Sequence, residues 1–201
     1  MNTTAATAEI REAMERLEPE PEHTAHVAHL ALRLFDELRP LHGLDAETRV
    51  LLEGAACLHD IGWPVSKRGV GHHKHSARLI RKQRWKHLTP SEVDLVAQIA
   101  RYHRRALPSS EHTDFHALDR HRQEVVRCLA AILRLADAFD RSHLQFVRDI
   151  KVRIESKSLD FMLFCRESPS REIAGADRKG NLAREVFGRD LVFRYQLASL
   201  P

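Results

Sequence analysis

Hydrophobic spacing changes once along this chain, and that change limits what it can fold into. Up to about position 148, apolar residues recur every three or four positions; from Ile150 onward they recur every second position. The first spacing makes helices with a buried stripe, and the second makes half-buried strands. Val27, Leu30, Ala31, Leu34, Phe35 and Leu38 mark one face of a helix over 22–38 that Pro40 is expected to stop. Residues 45–59 are apolar almost all round, as befits a core helix, with Gly62 and Pro64 ending it. A third helix is predicted over 74–85. A fourth starts at the Thr89-Pro90-Ser91-Glu92 capping box and runs to about His103, and a fifth covers 122–139. A long loop spans 107–119, and the first 20 residues read as a polar lead-in with a short helix over 8–17.

Past Asp149, Ile150, Val152 and Ile154 alternate with charged residues. A turn at 156–158, a strand over 159–165, a helix over 170–187 weakened by Gly175 and Gly180, and a strand over 191–197 follow. The expected fold is therefore mostly α: a helical domain over 1–148 and a small ββαβ subdomain over 149–201. At 201 residues the chain can bury a core without disulfides or a structural metal. Its longest apolar run, 128–133, is far short of the roughly 20 residues that cross a bilayer. The acidic N-terminus has no signal-like apolar segment. The scattered Cys57, Cys128 and Cys165 read as buried free thiols, so a cytoplasmic setting is expected.

Fourteen histidines invite a test by helical geometry. At about 100° per residue, His23 falls over the buried stripe of its helix, four residues before Val27. His26 lies on the flank and His29 on the far side. His59 shares a face with Leu51, Leu52, Ala55 and Leu58, and Asp60 follows at the helix end. His103 aligns with Val96, Ile99 and Ala100, and Asp137 follows Leu133 within an almost wholly apolar helix. A buried ionised Asp is costly unless paired, hydrogen-bonded or on a metal. For Asp137, Arg134 and Arg141 are the candidate salt-bridge partners. A divalent cation would explain the inward histidines and aspartates together. A mixed His/carboxylate set suits Mn, Mg, Fe, Co or Ni.

The segments LLEGAACLHDIG, EHTAHVAHLAL and RLADAFDRSH resemble, in order and in helical setting, the H…HD…D signature of the HD superfamily of metal-dependent phosphohydrolases. LHDIGWPVSKRGVGHHKHSARLI, LTPSEVDLVAQIARYHRRALP and LAAILRLADAFDRSH are similar to the C-terminal HD-like region of the exopolyphosphatase / guanosine pentaphosphate phosphatase (Ppx/GppA) family. The likeness covers residues 20–201, without the family's actin-like domains. The resemblance implies an HD-type helical domain whose metal ligands are His23, His59, Asp60 and Asp137. By position, His72 and His103 would serve a second ion, with His73 and His75 as competitors, and Asp60 and His103 would be the catalytic pair. It further implies one or two divalent ions and water attack on a phosphate ester or phosphoanhydride.

Basic residues gather around these motifs. Lys74, His75, Arg104, Arg105 and Arg141 are the expected substrate-binding residues, for a phosphate-containing small molecule or polyphosphate. With aromatics at 6% and not interleaved with charge, specific nucleic-acid binding is not expected, nor is a membrane. The alternative to an enzyme is a non-catalytic module that binds polyphosphate or a nucleotide. A second copy of the chain or an actin-like phosphatase chain would be its protein partner.

Overall fold

The computed structural model describes residues 1–197. Nine α-helices and one three-stranded sheet are found among them: α1 Thr3–Leu17, α2 Pro21–His42, α3 Ala46–Leu58, α4 His72–Lys82, α5 Pro90–Arg101, α6 Thr113–His116, α7 Arg120–Ala138, β1 Val147–Ile154, β2 Ser158–Cys165, α8 Ser170–Lys179, α9 Asn181–Phe187 and β3 Asp190–Leu197. The protein is mostly helical with a small C-terminal sheet, the class that the change of hydrophobic spacing indicates. No helix of the described residues is long and apolar enough to cross a membrane. Cys57, Cys128 and Cys165 are buried and unpaired.

Two helices depart from expectation. α1 begins at Thr3, capped by the Asn2 side chain accepting from Ala5 N, and it belongs to the core rather than to a lead-in. Ala6, Ile10, Ala13 and Met14 are buried against α3, where Gly54 leaves room for Ile10: a Cβ there would lie 3.1 Å from Ile10 Cδ1. Small alanines on the buried face hide this stripe from a hydrophobicity reading. Pro40 does not stop α2, which continues to His42 and ends on Gly43 at φ +62°. Proline costs one backbone hydrogen bond, and near the exposed end of a helix that loss is tolerated.

The Thr89 capping box forms as its sequence indicates, with Glu92 N and Thr89 N each bonded to the partner's side chain. The expected single helix over 170–187 is two helices split at Gly180. A Cβ there would lie 2.5 Å from Leu191 Cδ1 and 2.8 Å from Ala176 O, so the chain turns tightly beneath β3. β1 and β2 pair antiparallel with Ile150 opposite Leu163. β2 and β3 pair parallel with Phe161 opposite Phe193, and α8 and α9 form the crossover.

The sheet sits on α2 and on Phe139 at the end of α7. Ile150, Leu159, Phe161, Leu163 and Leu191 join the same buried cluster as the helical core, where Phe139 meets Phe161 and Phe193. Polar ties fix the sheet laterally. His26 Nε2 bonds Val147 O at 2.8 Å, and Arg33 Nε bonds Asp149 Oδ1 at 2.7 Å. Glu37 accepts from Val152 N at 3.1 Å. These ties hold the sheet to α2, which carries His23, while α8 and α9 pack on α7, which carries Asp137.

Candidate functional site

Five helices end around one cavity of about 400 Å³. The first turn of α2 carries His23, and the end of α3 carries His59, followed by Asp60. α4 opens with His72, His103 lies just past α5, and the last turn of α7 carries Asp137. Helix ends are natural places for such groups, because the chain leaves its cylinder there and the side chains of different helices can meet. Gly62 makes the α3–α4 approach possible. A Cβ on it would lie 2.3 Å from His72 O and 2.4 Å from Ser76 N.

The four histidines are oriented by the same device. His59 Nδ1 donates to Ala56 O and His103 Nδ1 to Ala100 O, both at 2.7 Å; His72 Nδ1 donates to Gly69 O at 2.9 Å. His23 Nδ1 donates to Asp140 Oδ2 at 2.8 Å. Carbonyls and carboxylates only accept, so Nδ1 carries the proton and a neutral ring presents its Nε2 lone pair inward. His72 Nε2 lies 3.3 Å from His103 Nε2 and 3.0 Å from Asp60 Oδ1. His23 Nε2, His59 Nε2 and Asp60 Oδ1 are buried and make no hydrogen bond. Lone pairs aimed at one another repel unless a proton or a metal ion lies among them. Three overlapping sets can each hold an ion, with ligand atoms within 4.8 Å of one another: His23/His59/Asp60, His59/His103/Asp137 and Asp60/His72/His103. The donor chemistry fits a divalent cation.

Electrostatics point the same way. Burial opposes ionisation of Asp60, but His59, then His72 and His103, when protonated, hold its carboxyl well below the usual carboxylate range. Asp137 is likewise held low against burial, chiefly by Lys179. Burial, with help from His59, pushes His103 well below its ordinary value, keeping it neutral. For His23, burial is outweighed by Asp140 and Asp137, which raise its affinity for positive charge.

The competing histidines are set apart. His73 turns into the helix packing, where burial lowers it to about 4, and His75 contacts Arg78. Neither His75 nor Lys74 lines the cavity; Lys74 is exposed on the outer face of α4. Arg104, Arg105 and Arg141 do line it, with Arg104 Nη1 3.4 Å from His72 Nε2. Asp137 pairs with neither Arg134 nor Arg141 but with Lys179 of α8. Arg134 instead donates to the carbonyls of Tyr102 and Lys179 and to Asn181 Oδ1.

Asp140, Lys179 and Glu18 lie outside what the sequence indicates for the site, and His143 enters there only as a basic residue following Asp137. Asp140 orients His23, and its position three residues after Asp137 on one helical turn was the available signal. His143 stacks on His23 at 3.8 Å between ring centroids, with Nδ1 2.6 Å from Glu20 Oε2. Lys179 and Glu18 carry no local signal at all. Glu18 is buried, accepts from Asp60 N at 3.2 Å and leaves its second oxygen unbonded. Burial, then the charge of Asp60, pushes its carboxyl up to about 9. An unfolded chain releases this proton above about pH 4.5, whereas the folded chain keeps it to about pH 9, so stability falls as pH rises through that window. Chelator-treated Glu18→Gln protein is expected to lose less of its thermal midpoint between pH 5.5 and 8.5 than the wild type does. An equal fall in both would assign the pH dependence elsewhere.

A model of the family described as "Ppx/GppA phosphatase, domain III" matches residues 7–171. The matched span runs from α1 through every donor named above and stops before Lys179. No curated protein sequence matches the chain.

Proposed function

Because the chain belongs to the Ppx/GppA phosphatase domain III family, we propose that it is a divalent-metal-dependent phosphohydrolase of the HD type. Its substrate in this reading is a phosphate ester or phosphoanhydride, in a nucleotide or a polyphosphate-like chain. One observation carries the reading: four histidines, each with Nδ1 committed to an acceptor, turn Nε2 toward one another and toward Asp60 and Asp137. His23, His59, Asp60, His72, His103 and Asp137 would hold the metal. The sharing of His59, Asp60 and His103 between sets favours two neighbouring ions.

When bound, such an ion supplies Lewis-acid stabilisation of phosphoryl charge and acidifies water. The chain's own groups do the rest. Arg104, Arg105 and Arg141 on the cavity wall bind and orient phosphate oxygens. Neutral His103, its ring fixed by Ala100 O, keeps Nε2 available as a donor atom. Asp140 holds His23 in the same role. Exposed Trp63 and residues of the 18–24 segment wall the cavity.

The test is metal analysis of the purified protein, followed by phosphate release from tripolyphosphate and nucleoside triphosphates with Mn²⁺ or with chelator. One or two ions per chain and chelator-sensitive release are expected. Bound metal with no release from any phosphate ester or anhydride would favour the non-catalytic binding module. Failure to bind any divalent ion would overturn the reading.

A further inference from the structure

We propose that Lys179 is the resident counter-cation of this site, competing with the divalent ion for Asp137 and so setting the affinity of the metal centre. The inference goes beyond the metal-centre reading and rests on it for the identity of the incoming ion. Lys179 Nζ is bonded to Asp137 Oδ2, while Asp137 also belongs to the set with His59 and His103. Among the described residues lining the cavity, Lys179 is the one Lys or Arg ion-paired with a carboxylate. The guanidinium groups of Arg104, Arg105, Arg141 and Arg178 have no such partner.

The pair is not an adventitious surface contact. The side chains of Lys179 and Asp137 keep 21% and 13% of their exposure, so solvent screens them little. The backbone that delivers Lys179 is fixed at several points. Buried Arg134, one turn before Asp137 on α7, donates to Lys179 O at 3.1 Å, to Tyr102 O at 3.1 Å and to Asn181 Oδ1 at 3.2 Å. Arg134 thereby ties the α8–α9 junction to α7 and to the residue beside His103. Gly180, with no room for a side chain under Leu191, makes the turn that follows. α8 packs on α7 at Gly175, where a Cβ would meet Ala138 O at an ordinary contact distance of 3.6 Å. The ammonium is thus carried to Asp137 by a rigid junction, which makes Arg134 its positioning residue.

The carboxylates of Asp60 and Asp137, set among the inward imidazoles, attract a cation. An ammonium and a divalent ion cannot both take Asp137 Oδ2 at bonding distance, and the ammonium also repels an ion held by the neighbouring donors. A divalent ion at the site therefore competes with Lys179 for the charge of Asp137, and the ammonium faces the same cavity as the four arginines.

The experiment is a Mn²⁺ titration by calorimetry of the full chain as wild type, Lys179→Met, Lys179→Arg and Arg178→Met. Methionine keeps the stem of the side chain and removes its charge. Lys179→Met is expected to bind Mn²⁺ at least about ten-fold more tightly, because a unit charge in contact with a ligand carboxylate has been removed. Lys179→Arg should remain within about two-fold of wild type. Arg178→Met, which removes an equal charge from the same cavity but none from Asp137, should shift affinity far less than Lys179→Met. Equal affinities in all four proteins, weaker binding by Lys179→Met, or the same gain from Arg178→Met would each overturn the proposal. Absence of Mn²⁺ binding in all four would overturn the metal centre itself. Circular dichroism of each variant identifies any loss caused by misfolding. Should Lys179→Met misfold, Lys179→Gln serves in its place with the same expected gain.

Discussion

Asp60→Ala protein, freed of metal and titrated with Mn²⁺, is expected to lose more than about 100-fold in affinity while keeping the far-ultraviolet spectrum of the wild type. Asp60 contributes to two of the three donor sets and carries one of the two negative charges in them. Removing it leaves histidines with little charge to compensate a divalent ion. The fold should survive because the residue lies in the turn after α3 and its buried Oδ1 makes no hydrogen bond. The bond from its backbone N to Glu18 is untouched by the substitution. Unchanged affinity would place the metal elsewhere, and loss of helical signal would make Asp60 a structural residue.

Gly62→Ala should be the most damaging single-methyl change near the site. Its Cβ would fall 2.3 Å from His72 O, 2.4 Å from Ser76 N and 2.8 Å from His75 Cβ. Two of these atoms are backbone and cannot rotate away, so the start of α4 must move and take His72 with it. The bond from Gly62 N to Ser76 Oγ would be strained as well. Overpacking of this kind costs about 3 kcal/mol, or roughly 6–12 °C in a domain of this size. Gly43→Ala is the control. Nothing lies within 4 Å of its Cβ, but φ is +62°, so about 1 kcal/mol of backbone strain is expected. Thermal melts of the two variants with and without Mn²⁺ check both values. A midpoint for Gly62→Ala within about 2 °C of wild type would mean that the α3–α4 contact is not tightly packed.

The inward faces of four helices were legible because helical spacing is local. His23, His59, His103 and Asp137 each sit three or four residues from a buried hydrophobe, and the structure brings them together with Asp60. Choosing among His72, His73 and His75 was a different problem. All three lie in the first turn of α4, and the choice depends on how Gly62 seats that helix against α3. Lys74 and His75 read as site residues from proximity in sequence, but two residues past His72 turn Lys74 by about 200° to the outer face. His75, only about 60° round from His72, sits nearly one turn further along the helix, contacts Arg78 and does not line the cavity. Glu18 and Lys179 were illegible for the opposite reason. Each comes from an element whose own pattern is ordinary, and only tertiary packing brings it beside Asp60 or Asp137. α1 was undervalued because its buried stripe is built partly from alanines.

The parallel pairing of β2 with β3 has a consequence for assembly of the molecule during synthesis. A parallel strand cannot pair until its crossover is finished, so the sheet closes only once α8, α9 and β3 have been made. All six donors lie between positions 23 and 137, on α2 through α7 and the turns beside them, and Lys179 follows Asp137 by 42 residues. A ribosome, working from the N-terminus, therefore delivers every donor of the site well before the lysine that neutralises Asp137. The nascent helical bundle passes through a stage in which Asp137 has neighbours but no resident cation, and the last quarter of the chain converts that open site into a guarded one.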